Sequence, residues 1–208
     1  MKDIPHKTIE RLSQYRRALL ICLSKGKDYI FSHEIAQIQH ITSVQVRRDL
    51  MLIGYSGTLR KGYKIQELID LIGEIIDSKE GQKVAIVGIG NLGRSIIKYF
   101  KGRRPKLAIV AAFDNDPQKI GKQFSGVDCY NITDLLKEIK DQNITIAIIT
   151  VPADKSNEIA DLLVESGIKG ILNFTPRPVN VPSNVFLEEF DMTTSLEKVA
   201  FYVKDQKP

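Results

Sequence analysis

Histidine and cysteine are scarce in this chain of 208 residues, which contains three of the first and two of the second. His6, His33 and His40 all precede residue 41 and none stands beside a cysteine pair, so no zinc-ligand spacing can be assembled and no metal site is expected. Cys22 and Cys129 each sit in an apolar stretch, the pattern of two buried reduced thiols and not of a disulfide framework. Long apolar runs are missing too. The longest, such as 18–23 and 144–151, fall far short of the ~18 to 20 residues of a membrane span, so no membrane partner is expected. The first seven residues carry charge with no apolar segment behind them, which predicts no secretory signal and a cytoplasmic protein. What remains, 43% hydrophobic and 26% charged, is ordinary globular composition with room for two small domains.

Charge is unevenly distributed. Residues 1–64 hold 12 Lys and Arg against 5 Asp and Glu, whereas residues 65–208 hold 18 against 20. A small basic module on a near-neutral body points to a polyanion as the partner of the first part, nucleic acid before membrane.

From Thr8, the apolar residues Ile9, Leu12, Tyr15, Leu19, Leu20 and Leu23 recur at helical spacing up to Lys25-Gly26. A short helix follows Ser32 as its N-cap and carries Ile35, Ala36 and Ile38 inward. After a turn over 39–42, a third helix from Ser43 to about Ile53 buries Val44, Val46, Leu50 and Ile53, and presents Ser43, Gln45, Arg47, Arg48 and Asp49 on its other face. This is the layout of a helix-turn-helix. Residues 54–65, with their glycines, tyrosines and the basic pair Arg60-Lys61, read as a hairpin wing. Trihelical modules with one basic face also serve protein contacts. A helix over 65–77 is apolar around much of its circumference, and the polar stretch 78–82 supplies a boundary.

The run 83–87 is a short strand followed at once by Gly88-Ile89-Gly90-Asn91-Leu92-Gly93 and a helical pattern to Phe100. GxGxxG between a strand and a helix is a dinucleotide fingerprint: the first glycine permits the turn, the second admits a pyrophosphate, and the third lets helix approach strand. A second strand over 107–113 ends in Asp114, 21 residues past Gly93, where an acid accepts the ribose hydroxyls of NAD and repels a 2′-phosphate. Helices over 133–140 and 154–166 alternate with strands over 145–150 and 170–174, the pattern of a doubly wound parallel sheet. Strand-end residues Asn115, Thr150, Val151, Pro152, Ala153 and Phe174 are expected to line the ligand, with Gly88, Gly90, Asn91, Leu92, Gly93 and Asp114. Lys119, Lys122 and Arg103-Arg104 read as surface charge, and Tyr99 as packing. A dehydrogenase needs a proton donor or metal beside the nicotinamide, yet this half has no histidine, and no tyrosine is followed four residues later by lysine. No catalytic residue is assigned. A strand-like run over 185–190 precedes Asp191 and a helix over 193–204 with Leu196, Val199, Ala200 and Val203 on one stripe.

Along nearly its whole length the chain resembles the Rex family of redox-sensing transcriptional repressors. The resemblance is carried by Ile9-Glu10-Arg11-Leu12 with Tyr15 and Arg17, by Ile41 to Leu50, by Gly62-Tyr63, by the glycine loop, and by Val151-Pro152-Ala153, Asn173-Phe174 and Val181-Pro182. It implies an N-terminal winged helix-turn-helix domain (1–78), a Rossmann-like NAD(H)-binding domain (79–190) and a C-terminal helix (191–208) swapped between the subunits of a homodimer. It implies repression through inverted-repeat operator DNA, which is bound when NAD+ occupies or leaves the site and released when NADH binds. By position, Arg47 and Arg48 would contact DNA with Ser43 and Gln45 beside them, and Arg60 and Lys61 would act from the wing. Arg17, Tyr99 and Asp191 match the redox-responsive set, Asp191 pairing with Arg17 in one state and Tyr99 in the other. Two departures stand out: Lys61 directly before Gly62-Tyr63 makes a plainer wing, and Asn91 stands where some members carry arginine. A small NAD-dependent oxidoreductase and a coenzyme A-binding protein are the competing readings.

Overall fold

The computed structural model describes residues 4–58, 60–104 and 106–204. Leu59 of the expected wing, Pro105 beside Arg103-Arg104, and residues 1–3 and 205–208 of the expected terminal segments lie outside the described residues. The chain forms two compact units, Met1–Lys79 and Glu80–Pro208.

In the first unit, α1 (His6–Ser24) buries Thr8, Leu12, Tyr15, Arg16 and Leu19, spaced to share one side. Leu20, expected in this stripe, is 45% exposed, because each residue turns the helix by about 100° and carries it past the buried side. Cys22 is only partly buried. In α2 (Ser32–Gln39) the cap is Phe31 and not Ser32: the Phe31 N–H donates to the Glu34 carboxylate at 2.8 Å, one half of a capping box. Ile38, expected inward, is exposed while Ile35 and Ala36 are buried. His40 closes α2 with a left-handed φ of 54°, and α3 (Ser43–Leu52) starts at Thr42, whose hydroxyl oxygen accepts from the Gln45 N–H at 3.2 Å. The three residues 40–42 thus make the tight turn of the helix-turn-helix. On α3, Val46 and Leu50 are buried with Ile53 beyond its end, but Val44 is exposed.

The wing departs from a simple hairpin. β1 (Tyr29–Ile30) pairs antiparallel with β2 (Tyr63–Lys64), a partner that two apolar residues before Ser32 did not announce. Thr58 and Gly62 exchange backbone hydrogen bonds of 2.9 and 2.8 Å, closing a loop that holds Arg60 and Lys61. Gly62 has φ 75°, and a Cβ there would lie 2.5 Å from the Ile30 carbonyl, so only glycine fits between the strands. Next, α4 (Ile65–Ile76) buries Ile65, Leu68, Ile69 and Ile72 in one core with Leu12, Tyr15, Leu19, Val46 and Leu50. Each fully buried Leu or Ile there stabilises by about 1.5–3 kcal/mol.

The second unit runs β3 (Gln82–Val87), α5 (Asn91–Phe100), β4 (Leu107–Asp114), β5 (Gln123–Phe124), β6 (Val127–Asn131), α6 (Leu135–Asp141), β7 (Ile146–Ile149), α7 (Ser156–Glu165), β8 (Gly170–Asn173), β9 (Phe186–Glu189) and α8 (Met192–Val203). The sheet order is β5-β6-β4-β3-β7-β8-β9, parallel throughout except for β5 against β6. Without β5, the six parallel strands stand in the chain order 3-2-1-4-5-6 of a Rossmann sheet, with its switch point between β3 and β7. β-Branched runs such as 146–149 suit strands covered on both faces. Leu135, Ile139, Ile159 and Leu163 pack one face, and Ile96 and Ile97 the other. Among the described residues no helix is long and apolar enough to cross a membrane. No residue of α8 is buried, and Leu196, Val199 and Tyr202 are 70%, 58% and 74% exposed.

Candidate nucleotide and DNA-binding sites

Four parallel strands end in one row. Val87 lies opposite Phe113 and Ile149, and Ile149 opposite Asn173, so Gly88, Asp114, Thr150 and Phe174 follow at the same level beside the switch point. The Gly88 N–H donates to the Phe113 carbonyl at 2.8 Å and the Thr150 N–H to the Val87 carbonyl at 2.9 Å. The Thr150 hydroxyl donates to the Gly88 carbonyl at 2.7 Å, pinning the glycine loop to the end of β7.

The three glycines have different tasks. Gly88 has φ 96°, and a Cβ on it would lie 2.8 Å from the Thr150 backbone. A Cβ on Gly93 would lie 2.2 Å from the Gly88 carbonyl. Both are demanded by the fold. Around Gly90 there is nothing within 4 Å, so no packing in the fold demands a glycine there and its backbone is open to approach. Gly90 also begins α5 with no side-chain cap, leaving the backbone N–H groups of Asn91, Leu92 and Gly93 to an anion. The loop therefore fits a pyrophosphate. Asn91 is exposed and Leu92 half-buried at its rim, while Val151, Pro152 and Ala153 lead from β7 into a short helical turn. The Phe174 ring packs against Phe190 at 5.1 Å.

Asp114, expected at the ribose, ends β4, but it is not free. One of its carboxylate oxygens accepts from the Ile89 N–H at 2.7 Å and the Lys119 ammonium at 3.0 Å, and the other from the Asp116 N–H at 2.9 Å. Burial opposes ionisation of Asp114, yet these donors outweigh it and hold its pKa below the usual carboxylate range. Lys119 is thus part of the site and not the surface charge the sequence suggested; its position on the turn after β4 was the only available signal. Asn115 beside it is exposed.

On α3, Arg47 and Arg48 are exposed, and Arg47 Nη1 donates to the Ser32 hydroxyl at 3.2 Å. Ser43 and Gln45 are half-buried. Asp49, expected on this polar face, is instead 2% exposed and bound to Arg11, Tyr15 and Gln45. Spacing could have shown it, since Gln45 and Asp49 lie one helical turn apart, as do Arg11 and Tyr15. In the wing, Arg60 and Lys61 are exposed, with Lys61 Nζ 5.6 Å from the Tyr29 ring centre. A second ion pair, Arg16 to Asp77 at 2.6 Å, was missed because a buried arginine is unusual and the two residues are far apart in sequence.

Of the expected switch residues, Arg17 is exposed on α1. Tyr99 is 51% exposed and so is not core packing; the Arg103 guanidinium lies 4.3 Å from its ring centre. Asp191 caps α8, accepting from the Thr193 N–H at 2.8 Å and the Thr194 hydroxyl at 2.6 Å, contacts that lower its pKa. Its carboxylate is engaged by these two threonines and not by Tyr99. Among the described residues no group of three His, Cys, Asp or Glu side chains is placed to hold a metal.

A winged helix-turn-helix joined to a Rossmann domain defines a class: transcription regulators that carry a nucleotide-binding body. Residues 3–50 match the family described as putative DNA-binding protein N-terminus, and residues 79–177 match CoA binding domain. The redox-sensing transcriptional repressor Rex of Carboxydothermus hydrogenoformans is 39% identical, over 97% of this chain and 97% of its own. That of Lactobacillus acidophilus is 35% identical, over 98% and 97%. The crystal structure of RSP, a Rex-family repressor, is similar with a TM-score of 0.88 at 29% identity, covering 99% of this chain and 97% of RSP. RSP in complex with β-NAD+ and operator DNA gives 0.89, with 99% and 95% covered. RSP in complex with β-NADH gives 0.87, with 99% and 97% covered. The chain belongs to the Rex family of redox-sensing transcriptional repressors, a family of regulators and not of enzymes.

Proposed function

We propose that this chain is a cytoplasmic homodimer that represses transcription by binding inverted-repeat operator DNA, and that it leaves the operator when NADH binds. The observation that carries this reading is the open backbone of Gly90 at an uncapped helix start beside Asp114, in a chain whose other unit presents Arg47 and Arg48 from a helix-turn-helix. Gly88, Gly90, Asn91, Leu92 and Gly93 would hold the pyrophosphate, Asp114 and Asn115 the adenosine ribose, and Thr150 to Ala153 with Phe174 the nicotinamide side. Ser43, Gln45, Arg47 and Arg48 would enter the major groove, with Arg60 and Lys61 on the flanking backbone. The exposed apolar residues of α8 support a partner subunit as what covers them.

The bound nicotinamide ring supplies a positive charge when oxidised and none when reduced. Asp191 is the carboxylate that would respond, exchanging Arg17 for Tyr99 as its partner. The capping contacts to Thr193 and Thr194 then link that exchange to the start of α8. The test is operator titration at fixed salt with and without saturating NADH: release by NADH supports the reading, and unchanged binding rejects it.

Coenzyme A is the one alternative that an observation favours, through the match of residues 79–177 to CoA binding domain. Calorimetry with NADH, NAD+ and coenzyme A on one sample separates the two.

A further inference from the structure

The buried carboxylate of Asp49 bears on how α3 reads sequence, an inference that rests on the DNA-binding reading above. Asp49 accepts four side-chain hydrogen bonds: from Arg11 Nε at 2.6 Å and Nη2 at 2.7 Å, from the Tyr15 hydroxyl at 2.8 Å, and from Gln45 Nε2 at 3.0 Å. Burial opposes its ionisation, but the donors from Arg11, Tyr15 and Gln45 prevail and hold its pKa below the usual range. Asp49 is therefore charged at neutral pH, and a carboxylate has no proton to give.

Only the nitrogen end of the Gln45 amide can face such a group, since the flipped amide would set oxygen against oxygen. One N–H of Gln45 is held by Asp49, so its carbonyl oxygen and second N–H remain for a ligand in a fixed relation to each other. That pair of one acceptor and one donor complements the major-groove edge of adenine, which offers its N6 amino group and N7. Guanine, with two acceptors on that edge, does not match.

We propose that Gln45 selects an A·T pair in each half-site, and that Asp49 and Arg11 are positioning residues which hold its amide in the reading orientation. A purely structural Asp49 would tie α3 to α1 and change stability alone, leaving base preference untouched.

Selection from a pool of random-sequence duplex DNA, using the full-length chain, distinguishes these. Wild type is expected to enrich a palindrome in which one A·T pair per half-site loses its preference by about tenfold in Gln45→Ala, the discrimination lost with one bidentate contact. Asp49→Asn should lose preference at the same pair, and the double variant should lose no more than either single one. Should Asp49→Asn fail to fold, Arg11→Lys keeps the charge, breaks the two-point grip on Asp49, and is expected to blur the same pair. A folded Asp49→Asn or Arg11→Lys with wild-type preference at that pair overturns the positioning role. A Gln45-sensitive pair that is G·C, or none at all, overturns the assignment of Gln45. If wild type enriches no sequence, the DNA-binding reading falls as well.

Discussion

Gly93 stands so close beneath Gly88 that a single added carbon would sit 2.2 Å from the Gly88 carbonyl oxygen, well inside contact distance. Alanine is favoured over glycine in a helix by about 1 kcal/mol. The clash is with backbone and cannot be relieved by a rotamer, so Gly93→Ala should be destabilising overall, by about 1–3 kcal/mol. Gly90→Ala meets open space at an ordinary φ of −81° and should leave the melting temperature unchanged while weakening NADH binding. Thermal melts paired with calorimetry read both effects; a destabilised Gly90→Ala with full NADH affinity would contradict the division of labour among the glycines.

Arg47→Ala and Arg48→Ala are each expected to weaken operator binding. A lost base contact costs about 1–3 kcal/mol and relaxes preference at one position, whereas a lost phosphate contact flattens the salt slope by roughly one unit. Wild-type affinity in both variants would remove α3 from the interface.

The Asp114–Lys119 ion pair changes what is expected of cofactor choice. Lys119 partly neutralises the carboxylate that would repel a 2′-phosphate. Lys119→Ala should therefore widen the preference for NADH over NADPH, and Asp114→Ala should narrow it. Titration of both cofactors against the three proteins gives the order directly; a narrower gap in Lys119→Ala would be the wrong sign.

Asp191 both caps α8 and carries the charge assigned to the switch. Asp191→Asn keeps an oxygen for the Thr193 N–H and removes the charge, so it should bind NADH nearly as well as wild type yet lose much of the NADH-driven release from DNA. Linkage requires operator to weaken NADH binding by the factor that NADH weakens operator binding, typically about 5- to 150-fold. Complete release of operator by NADH in Asp191→Asn would end the case for Asp191.

Asp49 is more acidic folded than unfolded, so its contribution to stability is complete above its ordinary pKa of 3.8 and fades as pH falls through its lower folded value. The stability gap between wild type and Asp49→Asn, followed by denaturant unfolding of the first unit, should be constant from pH 7 to about 5 and shrink below the ordinary carboxylate value. A gap that grows on acidification would mean that Asp49 is not held ionised.

Much of this was legible in the chain because the signals were local. A strand, GxGxxG and helix followed by Asp114 carry their own spacing, and the helix-turn-helix is written in the periodicity of 8–53. The failures were of two kinds. Leu20, Ile38 and Val44 are apolar residues at the margin of a helical stripe, where one position decides between core and solvent. The ion pairs of Asp49, Asp114 and Arg16 depend on which charged residues the fold brings together, and hydrophobic patterning is blind to that. The β1–β2 pairing was hidden for a related reason: two residues are too few to show alternation.

The sheet of the second unit ends, on one side, in β5, only two residues long, and on the other in β9, where Glu188 and Glu189 follow Phe186 and Leu187. Glu189 is further occupied at that edge, accepting the Val179 N–H at 2.9 Å. A strand from another molecule would find either almost no ladder to extend or two carboxylates to bury. The Rossmann sheet is in this way guarded against edge-to-edge aggregation, and chains crowded together at high concentration are steered away from fibrous stacking.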